Sequence, residues 1–366
     1  MSKDLNVRNN VTKSRIYVCH TYYHVYVTML KEFALPKEEQ GTATLVLSKM
    51  STDFEDLQSR LLKLGVFEEI LLFDEKPYTF FEELAKYKVD YGNFVKNMVN
   101  RIIFTKKFAR LQSAYVPVDF SQYREVYVFC DSDPIGYYLN YKRIPYHSVE
   151  DGLNSLVHVD AARYDNRGNF PIKAFLAKLN LIFIQNGYSK YCVDMEVNQI
   201  EGIRYPIKKH KEVPRRELEA RLTEEEKKLI IQGFVADASR LRGLIERIDD
   251  EKKNIVILTE PLCELPVRKQ IFSDLIEEYK KQGTVVLKPH PRDVLDYEKE
   301  FPEHLVFDKR MPMEILNLLG QEFFDLAVAV LTDINGIRFA GNAVRLGPDF
   351  MDKYEAPEIH RQNEQF

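Results

Sequence analysis

The sequence predicts an α/β protein built from two domains, each a parallel sheet covered by helices. The chain has 366 residues, and at roughly 150 residues per domain this length corresponds to two domains. Its 45% hydrophobic content is enough for a core in each. Short β-rich runs alternate with longer helical stretches, and the runs are apolar on both faces, as strands between two layers of helices are.

The first domain is predicted to span residues 1–215. Five runs are predicted as its strands, at residues 15–20, 43–47, 69–73, 125–130 and 146–149. Helices are expected at Val25–Phe33 and Phe54–Leu64, and a helix-rich stretch runs from Tyr78 to Leu111. Pro134 is expected in the first turn of the helix after the fourth strand, because its fixed φ suits that position.

The second domain is predicted to span residues 216–366. The charged segment Ile207–Arg216, flanked by prolines, is the predicted linker. A helix over Leu222–Phe234 begins with Thr223 and Glu226 in capping-box spacing. Further helices are expected over residues 267–281 and from 313, and strands at 254–258, 284–287, 304–307, 326–331 and 342–346. A carboxy-terminal helix that crosses back onto the first domain stays an open alternative.

Charge and composition exclude several classes of function. The chain has 52 Lys and Arg against 56 Asp and Glu, a net charge of −4, so nucleic acid is not expected as the main partner. The first fifteen residues are polar and lack the apolar core of a secretory signal. No stretch approaches the ~18 apolar residues of a membrane span. The protein is therefore expected in the cytoplasm, soluble or at most peripheral to a membrane.

The four cysteines, Cys19, Cys130, Cys192 and Cys263, lie far apart in the sequence. They form no CxxC pair and have no histidine ladder nearby, which argues against a zinc site and a disulfide framework. We expect reduced, mostly buried thiols.

Two domains of this kind are expected to face a central cleft, and ligands bind at the carboxyl ends of the strands. The strand ending at Leu287 runs into Lys288-Pro289-His290-Pro291. The two prolines restrict the backbone on either side of His290. An imidazole so placed can bind a phosphate and protonate a leaving group. The alternative is a turn whose histidine only caps the next helix.

Glu150-Asp151-Gly152 follows the last predicted strand of the first domain. Adjacent carboxylates raise one another's pKa, which suits a general base. The same three residues also form ordinary surface turns, so this motif alone is a weak indication.

Two further segments lie at strand or helix ends. Thr259-Glu260-Pro261 places a hydroxyl before a rigid proline, and Pro312-Met313-Glu314 places a carboxylate at a helix start. Glu314 could hold a ribose diol, or it could only compensate the helix dipole.

Taken together and in this order, these motifs resemble those of glycosyltransferase family 52. Glu150-Asp151-Gly152 and His290-Pro291 look like the D/E-D/E-G and HP motifs of these bacterial lipooligosaccharide and capsule sialyltransferases. The related bacterial polysialyltransferases are the next most similar group. Thr21-Tyr22-Tyr23-His24 and the stretch from Asp131 to Leu139 are also similar to family segments. The resemblance spans roughly residues 15–350, and its weight comes from the joint order of short motifs.

The resemblance implies a GT-B fold, with two Rossmann-like domains, and an inverting, metal-independent transfer of sialic acid from CMP-sialic acid to a sugar hydroxyl. The acceptor is expected to be a terminal galactose of a capsular or lipooligosaccharide glycan. The resemblance assigns the general base to Glu150, its support to Asp151 and the acid to His290. It assigns donor contacts to Thr259, Glu260, Pro261, Lys288, His290, Pro291, Glu314 and Thr332.

One segment departs from the family pattern. A Ser-Ser/Thr pair binds the donor phosphate in the family, whereas this chain has Leu331-Thr332-Asp333. Thr332 supplies one hydroxyl, and Asp333 adds a negative charge near a phosphate. An altered donor, a weaker enzyme and a shifted alignment all stay open.

Two rival interpretations remain at this stage. Asp131-Ser132-Asp133 resembles the DxD motif with which metal-dependent transferases hold manganese and a UDP- or GDP-sugar, although Asp133 also suits a helix N-cap before Pro134. The departure at residues 331–333 would also fit a degenerate transferase acting as a scaffold in capsule assembly.

The stretch from Phe94 to Phe108 interleaves Lys96, Arg101, Lys106 and Lys107 with apolar residues. This pattern is typical of a helix at a membrane interface, and it also fits a core helix with a solvated basic face. A lipid-linked glycan acceptor is implied by the family resemblance alone, and peripheral contact at the inner face of the cell membrane stays an open alternative.

Overall fold

The computed structural model describes residues 11–54, 56–132, 134–159, 166–248, 253–319 and 323–359. The chain divides into two compact units, Met1–Arg221 and Leu222–Phe366. The boundary thus lies after Arg221 rather than after Arg215, because a helix over Arg215–Ala220 packs on the first helix of the chain. There the Tyr26 hydroxyl donates to Oε1 of Glu219 at 2.7 Å.

The N-terminal unit is built on a parallel sheet with the strand order β3-β2-β1-β4-β5-β6-β7 among the described residues. The strands are β1 (Lys13–Cys19), β2 (Thr44–Ser48), β3 (Glu69–Phe73), β4 (Tyr123–Val128), β5 (Tyr146–Val149), β6 (Cys192–Val197) and β7 (His210–Glu212). The helices are α1 (Tyr22–Phe33), α2 (Leu57–Leu64), α3 (Phe94–Gln112), α4 (Pro134–Lys142), α5 (Leu153–Val157), α6 (Phe170–Lys178) and α7 (Arg215–Ala220).

The order of the strands creates a switch point in this sheet. From β1 the chain proceeds outward to β2 and β3 and then returns to β4 on the other side of β1. Connections that leave in opposite directions open a crevice at the carboxyl ends of the two central strands. The residues that follow β1 and β4 therefore lie at the edge of the sheet where ligands bind in folds of this class.

A buried ion pair connects the central strand to its covering helix. The Arg15 guanidinium on β1 contacts the Glu32 carboxylate on α1 at 2.9 Å, and the Tyr17 hydroxyl donates to the same carboxylate at 2.8 Å. Arg15 and Glu32 are each 1% exposed. Removing one member would leave an uncompensated buried charge, so the pair fixes the position of α1 on the sheet.

The C-terminal unit has a second parallel sheet, with the order β10-β9-β8-β11-β12 among the described residues. Its strands are β8 (Asn254–Leu258), β9 (Thr284–Lys288), β10 (Leu305–Val306), β11 (Phe324–Ala329) and β12 (Ala340–Arg345). Its helices are α8 (Glu224–Phe234), α9 (Ala238–Ile245), α10 (Leu265–Tyr279), α11 (Tyr297–Glu300), α12 (Leu316–Leu319) and α13 (Pro348–Met351). The switch point falls between β8 and β11.

The predicted strands are all present, with ends shifted by a few residues. The capping box of Thr223 and Glu226 is confirmed, as is Pro134 at the start of α4. Cys19, Cys130 and Cys192 are buried and Cys263 is partly buried, and none of the four forms a disulfide. Helix α13 packs through Met351 into the core of the C-terminal unit.

The predicted linker over Ile207–Arg216 is wrong. This segment forms the edge strand β7, which pairs with β6 through Met195 and His210, and then begins α7. Short, charged strands are common at sheet edges, where one side faces water. The prediction took the charges to mean the absence of structure and missed β6 as well.

Candidate functional site

His24 lies at the switch point of the N-terminal sheet. Thr21 is the N-cap of α1, and its side chain accepts the backbone N–H of His24 at 3.2 Å. The Nδ1 atom of His24 in turn accepts the backbone N–H of His20 at 3.1 Å. Because Nδ1 is an acceptor, the ring proton of the neutral imidazole is on Nε2.

The Nε2 atom of His24 is 2.5 Å from Oδ1 of Asp151, so the imidazole donates to this carboxylate. The ring also stacks on Phe129, which follows β4, with 4.2 Å between ring centroids. The His24 side chain is 1% exposed and that of Asp151 is 32% exposed. The buried His24, held by the His20 N–H and the Phe129 ring, therefore orients the Asp151 carboxylate, which is partly exposed to solvent.

Glu150 has a different environment from its neighbour. It is 4% exposed, and its Oε2 accepts the backbone N–H of Asn198, which follows β6, at 2.6 Å. Its own N–H donates to the Glu196 carbonyl at 2.9 Å. Glu150 thus joins the end of β5 to the end of β6, and Asp151 is the member of the pair that solvent reaches.

A second buried histidine extends the polar network. The Nε2 atom of His20 is 2.9 Å from Oε1 of Glu75, and the Ser48 hydroxyl contacts the same oxygen. Glu75 is 0% exposed. His20 also carries the backbone N–H that holds His24, so this network fixes the chain just ahead of α1.

Asp131 does not present an open metal ligand. One carboxylate oxygen accepts the backbone N–H of Asn186 at 2.7 Å, and the other accepts the N–H of Gly187 at 3.1 Å and the Tyr146 hydroxyl at 3.0 Å. Burial raises the pKa of Asp131 to about 6 despite these hydrogen bonds. Its role here is to hold the turn at residues 186–187, and Asp133 lies outside the described residues.

His290 stands at the carboxyl edge of the C-terminal sheet. Its backbone N–H donates to Oγ1 of Thr259 at 3.3 Å, and its Nδ1 accepts the backbone N–H of Arg292 at 3.1 Å. Nε2 therefore carries the proton of the neutral ring. Burial, with the charges of Arg292 and Lys288, lowers the pKa of His290 to about 4, so the imidazole is neutral at pH 7.

Lys288 is a buried amine beside the same turn. It is 3% exposed, and its Nζ donates to the Pro289 carbonyl at 2.7 Å. Burial lowers the pKa of Lys288 to about 7, although the charges of Asp308 and Glu314 oppose this. Burial also raises the pKa of Glu314, partly offset by Lys288. The charge of each group thus favours the ionised form of the other, so Lys288 and Glu314 interact electrostatically.

Glu260 bridges β8 and β11 across the switch point of the C-terminal sheet. Its Oε1 accepts three consecutive backbone N–H groups, from Val330 and Leu331 at 2.9 Å and from Thr332 at 3.0 Å. Backbone N–H groups that converge in this way form an anion site. A carboxylate of the chain itself therefore occupies the segment where the family pattern has its phosphate-binding pair.

Three residues that sequence reasoning missed hold the His290 turn. The Arg268 guanidinium contacts Oδ1 of Asp293 at 2.6 Å and donates to the carbonyls of Leu262 and Cys263. The Tyr297 hydroxyl donates to Oδ2 of Asp293 at 2.8 Å. Asp293 could have been singled out because it follows the HP motif directly. Arg268 sits within an amphipathic helix and offers no local signal.

The structure therefore brings the predicted residues together in two sets. Thr259, Glu260, Lys288, His290, Glu314 and Thr332 share the carboxyl edge of the C-terminal sheet, whereas Glu150 and Asp151 belong to the N-terminal sheet. Pro261 is exposed and Pro291 partly buried, both in the turns that carry Glu260 and His290. In the sequence His24 is only part of a family-like segment, and no local pattern predicts its contact with Asp151.

Comparison with known proteins places the chain in a family. The sequence model of glycosyltransferase family 52 matches residues 75–330. This match covers well over half of the chain, so the protein belongs to glycosyltransferase family 52 and is a glycosyltransferase. The resemblance seen in the short motifs is thereby confirmed. Two doubly wound parallel-sheet units in a chain of this family constitute the predicted GT-B type of fold.

Individual relatives are more distant. An uncharacterized protein of Haemophilus influenzae is 31% identical over 106 residues, which is 28% of this chain and 32% of that protein. The chain thus matches about a third of that relative's length. A galactoside α-2,3-sialyltransferase of Photobacterium phosphoreum is 13% identical, with a TM-score of 0.47 over 87% of this chain and 86% of that one. The GT-B domain of a Photobacterium damselae sialyltransferase is 14% identical, with a TM-score of 0.48 over 88% and 86%.

Proposed function

We propose that this glycosyltransferase moves sialic acid from CMP-sialic acid to the hydroxyl of a terminal sugar, galactose in the first instance, with inversion and without a metal. The observation that carries the proposal is the His290 turn, which places a neutral imidazole with its proton on Nε2 beside the buried Lys288 amine. A neutral donor and a titratable amine suit a phosphate that gains charge as it leaves.

The donor half of the reaction falls to the C-terminal unit. The bond between the anomeric carbon and the CMP phosphate oxygen breaks, and its electron pair stays on the phosphate. His290 donates to that oxygen, and Lys288 supplies positive charge. Glu314 holds the ribose hydroxyls, and Thr259 positions His290 through the hydrogen bond to its backbone. Glu260 shapes the segment at residues 330–332. Thr332, whose hydroxyl also contacts Glu260, belongs to this segment and supplies the hydroxyl proposed to contact the donor.

The acceptor half falls to the carboxylate pair of the N-terminal unit. A carboxylate takes the proton of the acceptor hydroxyl while the new bond to the anomeric carbon forms. The sequence-based assignment makes Glu150 the base and Asp151 its support. Exposure favours the reverse, because Asp151 reaches solvent and is oriented by His24, while an oxygen of Glu150 is held by the Asn198 N–H. We therefore propose that the carboxylate of Asp151 is the general base that takes the proton of the acceptor hydroxyl. Glu150 then fixes the conformation of the turn that carries Asp151.

Metal independence is part of the proposal. The rival interpretation requires Asp131 and Asp133 to hold manganese, and both oxygens of Asp131 already accept hydrogen bonds inside the unit. We also propose a capsular or lipooligosaccharide acceptor and a cytoplasmic site of action, both by family resemblance.

Nucleotide release tests the proposal. CMP-sialic acid, UDP-galactose and GDP-mannose are each supplied with and without lactose, first in EDTA and then in manganese. We expect release of CMP alone, stimulated by lactose and unchanged by EDTA. Manganese-dependent release of UDP or GDP would contradict the proposal. No release from any donor would favour a degenerate scaffold, in which the Glu260 carboxylate keeps the anion site filled.

A further inference from the structure

Glu260 is a buried carboxylate that the backbone of a neighbouring strand surrounds with donors. It is 6% exposed. Its Oε1 accepts the backbone N–H groups of Val330, Leu331 and Thr332, and its Oε2 lies 3.1 Å from the Leu331 nitrogen as well. Successive N–H groups that converge on one point form a concave anion site, or nest. We call these three N–H groups the 330–332 nest, and in this protein the anion in the nest belongs to the chain itself.

The nest is held by contacts other than those to Glu260. The carbonyl oxygen of Ala329 accepts the Leu346 N–H at 2.9 Å, and that of Val330 accepts the Gly347 N–H at 2.8 Å. Ala329 and Val330 are 1% and 0% exposed. The residues that follow β12 therefore hold the backbone of the nest, so its N–H groups should keep their direction when the Glu260 side chain is changed.

The nest lies close to the His290 turn in the order of the strands. One row of the sheet register runs through Val286 of β9, Val256 of β8 and Ala327 of β11. The residues four positions beyond this row are His290, Glu260 and Leu331. Adjacent strands are about 4.8 Å apart, so the lines of β9 and β11 are roughly 10 Å apart with Glu260 between them.

A hydrogen bond connects the two sides of this arrangement. The backbone N–H of His290 donates to Oγ1 of Thr259, the residue directly before Glu260. The Thr259 N–H in turn donates to the Lys288 carbonyl at 3.0 Å. An anion bound at the His290 turn therefore has the Glu260 carboxylate as its neighbour on the next strand.

The charges at the nest are negative. Burial raises the pKa of Glu260, and the N–H groups of the nest act in the opposite direction, because donors favour the ionised form of a carboxyl group. Asp333 follows the nest directly and is exposed, and its Oδ1 accepts the Asn335 N–H at 3.0 Å. An anion that approaches the nest thus meets one carboxylate inside it and another on the residue that follows it.

We propose that Glu260 restricts the donor of this enzyme to nucleotides with a single phosphate. A nucleoside monophosphate sugar needs one anion site, which the His290 turn and the Lys288 amine supply. A nucleoside diphosphate brings a second phosphate, and the 330–332 nest that would accept it already holds a carboxylate. The role of Glu260 toward the donor is then exclusion rather than contact. The inference rests on the proposed function, because that function puts the donor phosphate at this edge of the sheet.

Calorimetry with CMP and CDP tests this selection, with EDTA present so that no metal ion bridges the diphosphate. The wild type should bind CDP at least about tenfold more weakly than CMP, because like charges brought side by side are strongly disfavoured. In Glu260→Gln the side chain keeps an oxygen for the nest but loses its charge. This variant should bind the two nucleotides with equal affinity.

Asp325→Asn is the matched control. Asp325 lies near the amino end of β11, and its Oδ2 accepts the Asn254 N–H of β8 at 2.7 Å. It therefore joins the same two strands as Glu260 by the same kind of contact, at the other end of the sheet. The control removes the same charge and should keep the wild-type preference for CMP. Loss of the preference in both variants, or in neither, would overturn the proposal.

Glu260→Ala tests the nest without a nucleotide. This change removes the acceptor of the three N–H groups, and a small free carboxylate can take its place. Sodium formate should therefore raise the melting temperature of Glu260→Ala in a saturable way, because a ligand that binds only the folded state stabilises it. Sodium chloride at equal ionic strength should not, and the wild type and Asp325→Ala should respond alike to the two salts.

The open nest should also reverse the preference between nucleotides. In Glu260→Ala the second phosphate finds three N–H donors, so CDP should bind more tightly than CMP. A variant that folds only in formate would give the same support to the nest, and Glu260→Gln then carries the comparison of nucleotides. No response of Glu260→Ala to formate would show that the nest binds no free anion and would overturn the proposal.

The selection can fail separately from the proposed function. If the wild type releases CMP from CMP-sialic acid but binds CDP as tightly as CMP, the inference about Glu260 fails alone. If it releases no CMP, yet prefers CMP and loses this preference in Glu260→Gln, the proposed function fails and the selection by Glu260 stands.

Discussion

His24 and Asp151 are 127 positions apart in the sequence, and Nε2 of the first is 2.5 Å from Oδ1 of the second. One follows β1 and the other follows β5, so the sheet brings them together. The pairing gives the exposed carboxylate of the N-terminal unit a defined orientation, because the imidazole is itself held by the His20 N–H and by the Phe129 ring.

Removing this hydrogen bond should impair transfer without unfolding the protein. We expect His24→Ala to lower kcat by up to about 100-fold, since a small misplacement of a reacting group is costly. The acidic limb of the pH profile of kcat/KM should move to higher pH, because a carboxylate that loses a donor is harder to ionise. His24→Gln can donate through its side-chain amide and should restore part of both. A lowered kcat with an unchanged pH profile in His24→Ala would indicate a merely structural role.

The two carboxylates can be separated by isosteric variants. Asp151→Asn should lower kcat by about 100- to 10,000-fold, the range for loss of a general base. Glu150→Gln should cost less, because its amide oxygen can still accept the Asn198 N–H. CMP affinity, measured by calorimetry, should stay near normal in both. A larger loss of kcat in Glu150→Gln than in Asp151→Asn would restore the assignment made from the sequence.

CMP binding should take up a proton through His290. The pKa of His290 is lowered to about 4, so the ring of the free protein is neutral at about pH 6, and a phosphate beside Nε2 favours the charged form. Calorimetry in two buffers with different ionisation enthalpies counts the protons. In His290→Asn the uptake at this pH should disappear and the affinity should fall. Equal CMP affinity in wild type and variant would contradict a phosphate contact.

Lys288 should cause a second uptake of a proton on CMP binding, at a higher pH than the uptake through His290. Burial lowers its pKa to about 7, so near pH 8 the free amine is mostly neutral, and a bound phosphate would raise its pKa. The wild type should therefore take up a proton on binding CMP near pH 8, and Lys288→Met should not. Near pH 6 the amine is already charged, so the uptake assigned to His290 should persist in Lys288→Met. Loss of the proton uptake near pH 6 in Lys288→Met would contradict its assignment to His290 alone.

The Arg268–Asp293 pair should be critical for stability. Its side chains are 8% and 0% exposed, and removing one partner of a buried pair typically costs about 3–5 kcal/mol. We expect Arg268→Ala to lower the free energy of unfolding in urea by that amount. Lys269→Ala removes a neighbouring cation whose pairing with Glu300 is at the surface, and it should cost less than about 1 kcal/mol. Similar losses in the two variants would refute the role given to Arg268.

Local patterns in the sequence were sufficient to predict several features. The apolar run at Asn254–Leu258 marked a buried strand, because strands covered on both faces need apolar side chains throughout. Thr223 and Glu226 predicted a helix start, because a capping box forms within four residues. The two prolines around His290 indicated a fixed turn, because each proline restricts the backbone at its own position and at the residue before it.

Other features depend on groups that meet only in the folded chain. The segment at Ile207–Arg216 is an edge strand because β6 lies beside it, and its own composition carries no sign of that partner. The resemblance assigns a donor contact to Glu260, and the structure adds that its carboxylate accepts backbone N–H groups 70 to 72 positions away. The sequence by itself determined the strands of the two sheets other than β6 and β7, and the turn that carries His290, because apolar periodicity and proline geometry act over a few residues. Only the tertiary structure decided that His24 holds Asp151, that Arg268 holds the His290 turn and that Asp131 holds the turn at residues 186–187. Hydrogen bonds and burial at these sites depend on the order in which distant strands pair.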